Sequence, residues 1–254
     1  MELHLLSWNL DGLNTRRLDA RAEEACLEMV LGQSLREAVN GGIGRPPPQV
    51  IALQEVVKRI HLSTLRPHLI AAGYALYPAE PAREDGDYSV IAVREPWELG
   101  RGRRVRFGVS PLARHWVEVV IHHPTQGRAR VITGHMESLR SGGEARLAQA
   151  RELDALLGDP DAPPTVFLGD TNLRDSEWRA VRRDLAMDDA FELAGAPRAA
   201  RATWWPPTNE EAPGFRFDRV WLDPGRPWTV SSFETRRRPR ISDHAAIEVR
   251  VRAR

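Results

Sequence analysis

The stretch GDTNLRD at 169–175 follows the apolar run TVFL and sets two carboxylates, a carboxamide and a guanidinium in one turn. A polar turn after a buried strand is ordinary, but the arrangement recurs. Asn9 follows HLLSW, Glu55 follows VIALQ, His135 follows ARVITG, Asp170 follows TVFLG and Asp218 sits within FRFDRVW. Asp243 and His244 precede the last apolar run. Polar residues at so many strand ends read as a rim built around one cleft. Burying them without partners is costly, and a divalent cation together with a phosphate would satisfy them at once. Hard cations such as Mg²⁺ take carboxylate oxygens and are held by one or two carboxylates plus substrate phosphate. Cys and His at zinc spacing are absent, as are a G-x-S-x-G nucleophile turn and a G-x-x-x-x-G-K-[ST] phosphate loop. What remains is metal-assisted hydrolysis of a phosphate ester.

The elements that must position these residues are legible in outline. ELHLLSWN (2–9), QVIALQE (49–55), YALYPAE, YSVIAV, WVEVVIHH, ARVITGH, TVFLGD, FRFDRVWL, TVSSFETR and HAAIEVRV read as strands. Residues 15–39 place Leu18, Ala22, Ala25, Met29 and Leu35 on one helical face, and NGGIGRPPP (40–48) ends that helix. A short helix is expected over 62–73, closed by Gly73. The segment 144–158 reads as an amphipathic helix closed by Gly158, and a further short helix near 176–184 is expected to be capped by Asp175 or Ser176. Strands outnumber helices and the two long helices each have one face to bury. That favours packed sheets covered by helices, as a single domain over 1–254. The longest irregular stretch, about 194–214, contains ATWWPPTNEEAPG, and loops of that length are more often functional than idle.

Composition excludes several classes. The chain of 254 residues has 36 basic and 35 acidic groups, a net charge of +1, so no global polycation draws nucleic acid. Lys58 is the only lysine, and this arginine enrichment follows from coding bias more simply than from phosphate binding. RGRRVR (101–106) and TRRRPR (235–240) are candidate backbone-tracking patches whose simpler reading is solvated hairpins. No run approaches the length of a membrane span, and no secretory leader is read at the start, so a cytoplasmic location without membrane contact is expected. The single cysteine, Cys26, lies in a helical pattern and reads as a buried, inert thiol.

SWNLDGLN, LQEV, GHMES, GDTNLRD, FDR and SDH occur in the order and approximate spacing of the endonuclease/exonuclease/phosphatase superfamily, which the chain resembles from residue 3 to about 251. NLDGL, GHMES and the extended GDTNLRD are similar, more narrowly, to the tyrosyl-DNA phosphodiesterase 2 subfamily. The resemblance implies a DNase I-like four-layer α/β sandwich, two packed mixed, mostly antiparallel sheets flanked by helices. It also implies a Mg²⁺-dependent phosphodiesterase, with Mn²⁺ as a substitute, that cuts 5′-phosphotyrosyl bonds at single-stranded or frayed DNA ends in DNA repair. A monomer is expected, of a stripped-down bacterial type without the N-terminal ubiquitin-binding extension of animal enzymes. Alternatives that keep the site are an abasic-site endonuclease or exonuclease, or a phosphatase on small phosphoesters.

Roles follow from the resemblance residue by residue. Glu55 matches the metal ligand, supported by Asp243, and Asp170 matches the base that activates water. Asn172 and Asn9 would hold phosphate, water or metal, and His244 would donate to a phosphate oxygen with Asp218 fixing its ring. His135 and Ser138 match a pair that contacts the scissile phosphate. Arg174 would reach phosphate, and Asp11, Gly12 and Leu13 of NLDGL join the substrate-binding set. Trp204 or its neighbour Trp205 takes the place of an aromatic that packs on DNA. His4, His61, His68, His115, His122 and His123 lack such context and read as structural.

Overall fold

Alternation and burial divide the strands into two stacked sheets. The computed structural model describes residues 1–254 except 34–36, 38, 42, 43, 82–85 and 207–212. One sheet has the order β11-β12-β1-β2-β4-β3, built from β1 (Glu2–Asn9), β2 (Val50–Val57), β3 (Tyr74–Tyr77), β4 (Asp87–Arg94), β11 (Trp228–Arg236) and β12 (Ala246–Ala253). The other has the order β5-β6-β7-β8-β10-β9, from β5 (Glu98–Arg106), β6 (His115–His123), β7 (Gly127–Gly134), β8 (Thr165–Asp170), β9 (Asp188–Asp189) and β10 (Asp218–Leu222). Pairing is antiparallel except for β1 with β2 and β7 with β8.

Those central strands are apolar on both faces because both faces are covered. Leu3, Leu5, Val50 and Ala52 face Val119, Val131, Val166 and Val220 in the layer between the sheets. On the far side of the first sheet, Leu6, Trp8, Ile51 and Leu53 pack under helix α1 (Leu18–Leu31) and a run, together α2, of Lys58–Ile60, a π turn His61–Leu65 and Arg66–Ala71. On the far side of the second, Ile132, Phe167 and Trp221 pack under α3 (Gly143–Leu157) and α4 (Asp175–Val181). The expected four-layer sandwich is therefore what forms.

Local departures have local causes. α1 closes at Gly32, whose φ of 64° suits glycine, so the expected helix is interrupted there; Leu35 lies outside the described residues. β2 runs two residues past Glu55 and is irregular between Leu53 and Val56, which leaves Glu55 itself at φ 51°. RGRRVR lies on edge strand β5, one arm of the hairpin with β6, where its charged side chains blunt the exposed edge. α4 is not capped by Asp175 or Ser176: Glu177 reaches back to accept from the Arg174 amide at 3.0 Å, and Asp175 occupies the first turn. Cys26 is buried as expected, its thiol pushed up to about 12 by burial and by Glu23.

Gly169 marks the closest approach of β7 and β8, since a Cβ there would lie 2.3 Å from the Gly134 carbonyl oxygen. Backbone cannot yield as a flexible side chain can. Gly169→Ala is expected to cost about 1–3 kcal/mol by overpacking, read as a lowered urea midpoint at unchanged slope. Gly108→Ala, whose Cβ would meet its nearest neighbour at 3.5 Å, serves as a control with an unmoved midpoint.

Candidate active site

Strand direction gathers the polar residues. The parallel pairs β1/β2 and β7/β8 bring their C-terminal ends, with Asn9, Glu55, His135 and Asp170, to one rim. Strands β4, β10 and β12 run antiparallel to these, so their starts reach the same rim. Asp87 opens β4, Asp218 opens β10 opposite Asp170, and Asp243 and His244 precede β12. The crevice beyond the carboxyl ends of parallel strands is the usual place for a ligand.

Asn9 joins the two sheets. Its Nδ2 donates to Glu55 Oε1 at 3.2 Å and to Asp170 Oδ2 at 2.9 Å, while its Oδ1 accepts from the Asp11 amide at 3.0 Å. Asp170 Oδ1 accepts from the Asn172 amide at 2.9 Å. Glu55, Asp11 and Asn172 all have left-handed backbones, with φ of 51°, 50° and 52°. Backbone strain of this kind concentrates at functional sites. Gly12 is required beneath Glu55, because a Cβ there would sit 1.9 Å from the Glu55 carbonyl oxygen.

Two histidines flank Asp170. His244 Nδ1 lies 2.8 Å from Asp218 Oδ2, and its Nε2 faces Asp170 Oδ2 at 3.7 Å. The ring is held from behind by a relay: the His244 amide donates to Ser242 Oγ, which donates to the Asn9 carbonyl. On the other side His135 Nε2 lies 3.4 Å from Asp170 Oδ2, and its Nδ1 is 3.5 Å from Asp87 and 3.8 Å from Glu55. Burial alone would lift the Asp170 carboxyl. His244 and His135, with the amides of Asn9 and Asn172, outweigh it and hold Asp170 below the usual carboxylate range. Burial would likewise strip His244 of its proton, but Asp218 and Asp170 raise the imidazole to about 10. Asp218 is itself pushed up, by burial and by Asp170, against the pull of His244. The proton stays on His244, where both carboxylates stabilise it.

These groups line a cleft of about 440 Å³. Of the residues expected from sequence, Asp11, Leu13, Ser138, Asn172, Arg174 and Trp204 line it beside Glu55, His135, Asp170, Asp243 and His244. Asn9, Gly12 and Asp218 stand behind and fix those that do. Trp204, not Trp205, faces the cleft: its Nε1 donates to Asp243 Oδ2 at 2.8 Å and its ring stacks on Phe217 at 5.1 Å. Trp205 lies under the Arg237 guanidinium, in a neighbouring pocket.

Several residues of the site were not foreseen. Asp87 accepts from Arg114 Nη1 at 3.0 and 3.3 Å, and Arg114 Nη2 donates to Ser138 Oγ at 3.2 Å. Fully buried Arg146 donates to the carbonyls of Glu137 and Leu139 and pairs with Glu177 at 2.6 Å. It thereby fixes the GHMES turn against the start of α4. Phe215 and Phe217 complete the aromatic wall. Asp87 reaches the rim only because β4 runs antiparallel to β2.

As a metal site the rim divides in two. Asp170, Asp218 and His244 offer ligand atoms within 4.8 Å of one another; His244 Nδ1 and Asp218 Oδ2 are spent on each other, while Asp218 Oδ1 has no hydrogen-bond partner among the described residues. Glu55 and Asp243 stand outside that grouping, and Asp243 holds Trp204. The donor set nonetheless fits a hard cation, because negative charge is in excess at this edge. Asp11 is raised to about 6, first by burial and further by Asp243 and Glu55, against the opposing Asn14 and Arg21.

A two-sheet α/β sandwich with this acidic, histidine-bearing rim defines the class of phosphoester-hydrolysing sandwich proteins. The chain belongs to the Endonuclease/Exonuclease/phosphatase family, whose pattern matches residues 6–244. It is 28% identical over 229 residues to tyrosyl-DNA phosphodiesterase 2 of Gallus gallus, across 87% of this chain and 56% of that protein. It is 28% identical over 264 residues to the 5′-tyrosyl-DNA phosphodiesterase of Caenorhabditis briggsae, across 97% and 68%. The crystal structure of a humanized D. rerio TDP2 superposes with a TM-score of 0.79 at 25% identity, covering 99% of each chain. The chain spans little more than half the length of several of the curated relatives it matches.

The charge on His244 yields a titration test. Its raised value means that its contribution to stability is complete below an ordinary imidazole pKa of about 6.5 and is lost as pH rises through about 10. In the metal-free protein the His244 ring, followed by NMR, is expected to remain an imidazolium at pH 8. In Asp218→Asn it should titrate at markedly lower pH. A ring that is neutral at pH 7 in the unaltered protein would overturn this assignment.

Proposed function

We propose that this chain is a divalent-metal-dependent phosphodiesterase, with Mg²⁺ the cofactor, that hydrolyses 5′-phosphotyrosyl or similar 5′-adduct bonds at DNA ends and leaves a 5′-phosphate. It acts as one catalytic domain and as a monomer, on single-stranded or frayed ends. The observation that carries the reading is the placement of ionised Asp170 between His244 and His135, tied by Asn9 to Glu55. The names of the relatives supply the adduct, and this chain supplies the chemistry.

Asp170 accepts a proton from the attacking water, and the Asn172 and Asn9 amides keep its oxygens oriented. His244, protonated at neutral pH, donates through Nε2 to a phosphate oxygen as charge builds there, with Asp218 fixing Nδ1. Arg174 and Ser138 line the phosphate's side of the cleft. Glu55 would hold the cation, which when bound would supply neutralisation of the phosphate charge. The broken bond is P–O to the tyrosine, and the phenolate leaves as the water oxygen joins phosphorus. A phenol has a pKa near 10, so this leaving group needs far less protonation than a sugar alkoxide. Leu13 and the wall of Trp204, Phe215 and Phe217 offer apolar and stacking surface to the terminal bases.

End-labelled 5′-tyrosyl single-stranded DNA should be cut to a 5′-phosphate product with Mg²⁺ and not with EDTA. Asp170→Asn should lower kcat about 10²–10⁴-fold, the usual worth of a general base, with KM little changed. Cleavage indifferent to EDTA would overturn the role of Glu55. Faster cutting of an abasic duplex or of an inositol phosphate would overturn the substrate and keep the site.

A further inference from the structure

A second cleft stands back to back with the catalytic one. Its volume is about 800 Å³, and Arg179, Arg182, Arg183, Arg198, Arg201 and Arg216 line it against two carboxylates, Asp175 and Glu192, among the described residues. The partition between the clefts is thin. Arg174 lines one and Asp175 the other, while along 214–217 Phe215 and Phe217 face the catalytic side and Gly214 and Arg216 the far side. That alternation is the period of an extended chain.

Behind Trp178 and Arg216, which line this cleft, lies a buried positive charge. Arg219 is fully buried, lies 4.3 Å from the Trp178 ring centre, and none of its guanidinium nitrogens has a hydrogen-bond partner among the described residues. Its nearest carboxylate, Asp189 at 3.6 Å, is already taken by Arg216 at 2.8 Å. One carboxylate thus serves two buried guanidiniums. Burial, and then the charge of Arg216, bring Arg219 down to about 9. Arg216 also stacks on Phe191 at 4.5 Å and Arg182 on Trp178 at 5.7 Å, so the planes are fixed before any ligand arrives. At the lip, Arg183, Arg198 and Arg201 are exposed and make no ion pair among the described residues.

From this arrangement we infer that the second cleft binds backbone phosphates of the same single-stranded nucleic acid, beyond the partition from the nucleotide being processed. Planar guanidiniums at fixed positions suit phosphate oxygens, and their faces accept bases. This inference rests on the proposed DNA-end substrate and extends it to a longer strand.

The test uses the full chain and a triple variant, Arg183→Ala, Arg198→Ala and Arg201→Ala. Binding of labelled 5′-phosphorylated strands of about 4 and about 20 nucleotides, lengths that bracket common single-strand site sizes, is followed by anisotropy in EDTA across a salt series. For the longer strand the triple variant should lower the slope of log K against log salt by about 2, from roughly 0.7 per lost contact. Affinity for the short strand and kcat on a short tyrosyl substrate should not move. An unchanged slope, or equal weakening for both lengths, overturns the inference. So does competition by polyglutamate as effective as unlabelled DNA, which would make an acidic protein the occupant. If the unaltered protein binds long strands in this arginine-dependent way yet cuts no tyrosyl end, the proposed function fails and the second cleft stands.

Discussion

The site depends on one carboxamide. Asn9 ends β1 in the first sheet, yet its Nδ2 is shared between Glu55 of that sheet and Asp170 of the other. The two carboxylates would otherwise repel across the gap where the sheets part. Just beneath, a buried polar bridge repeats the connection: Gln54 donates to Ser7 Oγ at 3.2 Å in its own sheet and to Thr133 Oγ1 at 2.9 Å in the opposite one. In the layer between the sheets the contacts are mainly apolar, and apolar contacts do not specify register. The polar pairs at the rim supply that register, and they lie where half an ångström matters to chemistry.

Charge balance is the second constraint. Asp11, Glu55, Asp87, Asp170, Asp218 and Asp243 crowd one edge, and the protein offsets them unevenly. Asp87 has Arg114, and Asp218 has His244. Arg21 approaches Asp11 at 3.3 Å but spends its other donors on the carbonyls of Leu10, Asp11 and Ile241, so it anchors the loop more than it neutralises. Among the described residues no full counter-charge faces Glu55 and Asp11, and Asp11 is raised first by its burial and then by Asp243 and Glu55. The uncompensated side is the side of the cleft where a cation belongs, and the histidine side is where an anion belongs. A phosphate ester spanning both completes the balance.

How much of this could be read from the chain follows from where each residue's signal lies. Asn9, Glu55, His135 and Asp170 end apolar runs, and a polar residue that closes a buried strand stands out locally. Asp87 begins a strand beside an already polar turn, so nothing local marks it; its place depends on β4 running antiparallel to β2. Arg146 occupies one helical turn among other charged residues, and only the fold shows that it is wholly buried under the 137–139 turn. The choice between Trp204 and Trp205 was unreadable for a similar reason. It is decided by Trp204 pairing with Phe215 and with His244, residues far along the chain. The layers were legible from alternation, whereas element ends shifted wherever glycine or an irregular pairing intervened, as at Gly32 and Glu55.

The coupling between Asp170 and His244 gives the proposed hydrolysis its timing. A carboxylate held this low is a weak base, which would argue against Asp170 taking a proton from water. What holds it low against its burial, however, is the charge of His244 3.7 Å away, joined by His135 and the Asn9 and Asn172 amides. A phosphate oxygen arriving at His244 Nε2 competes for the same proton and draws that charge away from Asp170. The carboxylate then becomes more basic just as the electrophile is in place, while Asp218 keeps the ring oriented at 2.8 Å. In the proposed mechanism, water activation is thereby tied to the presence of substrate. The buried position of all three groups is what makes the coupling strong, since exposed charges at these distances would be screened.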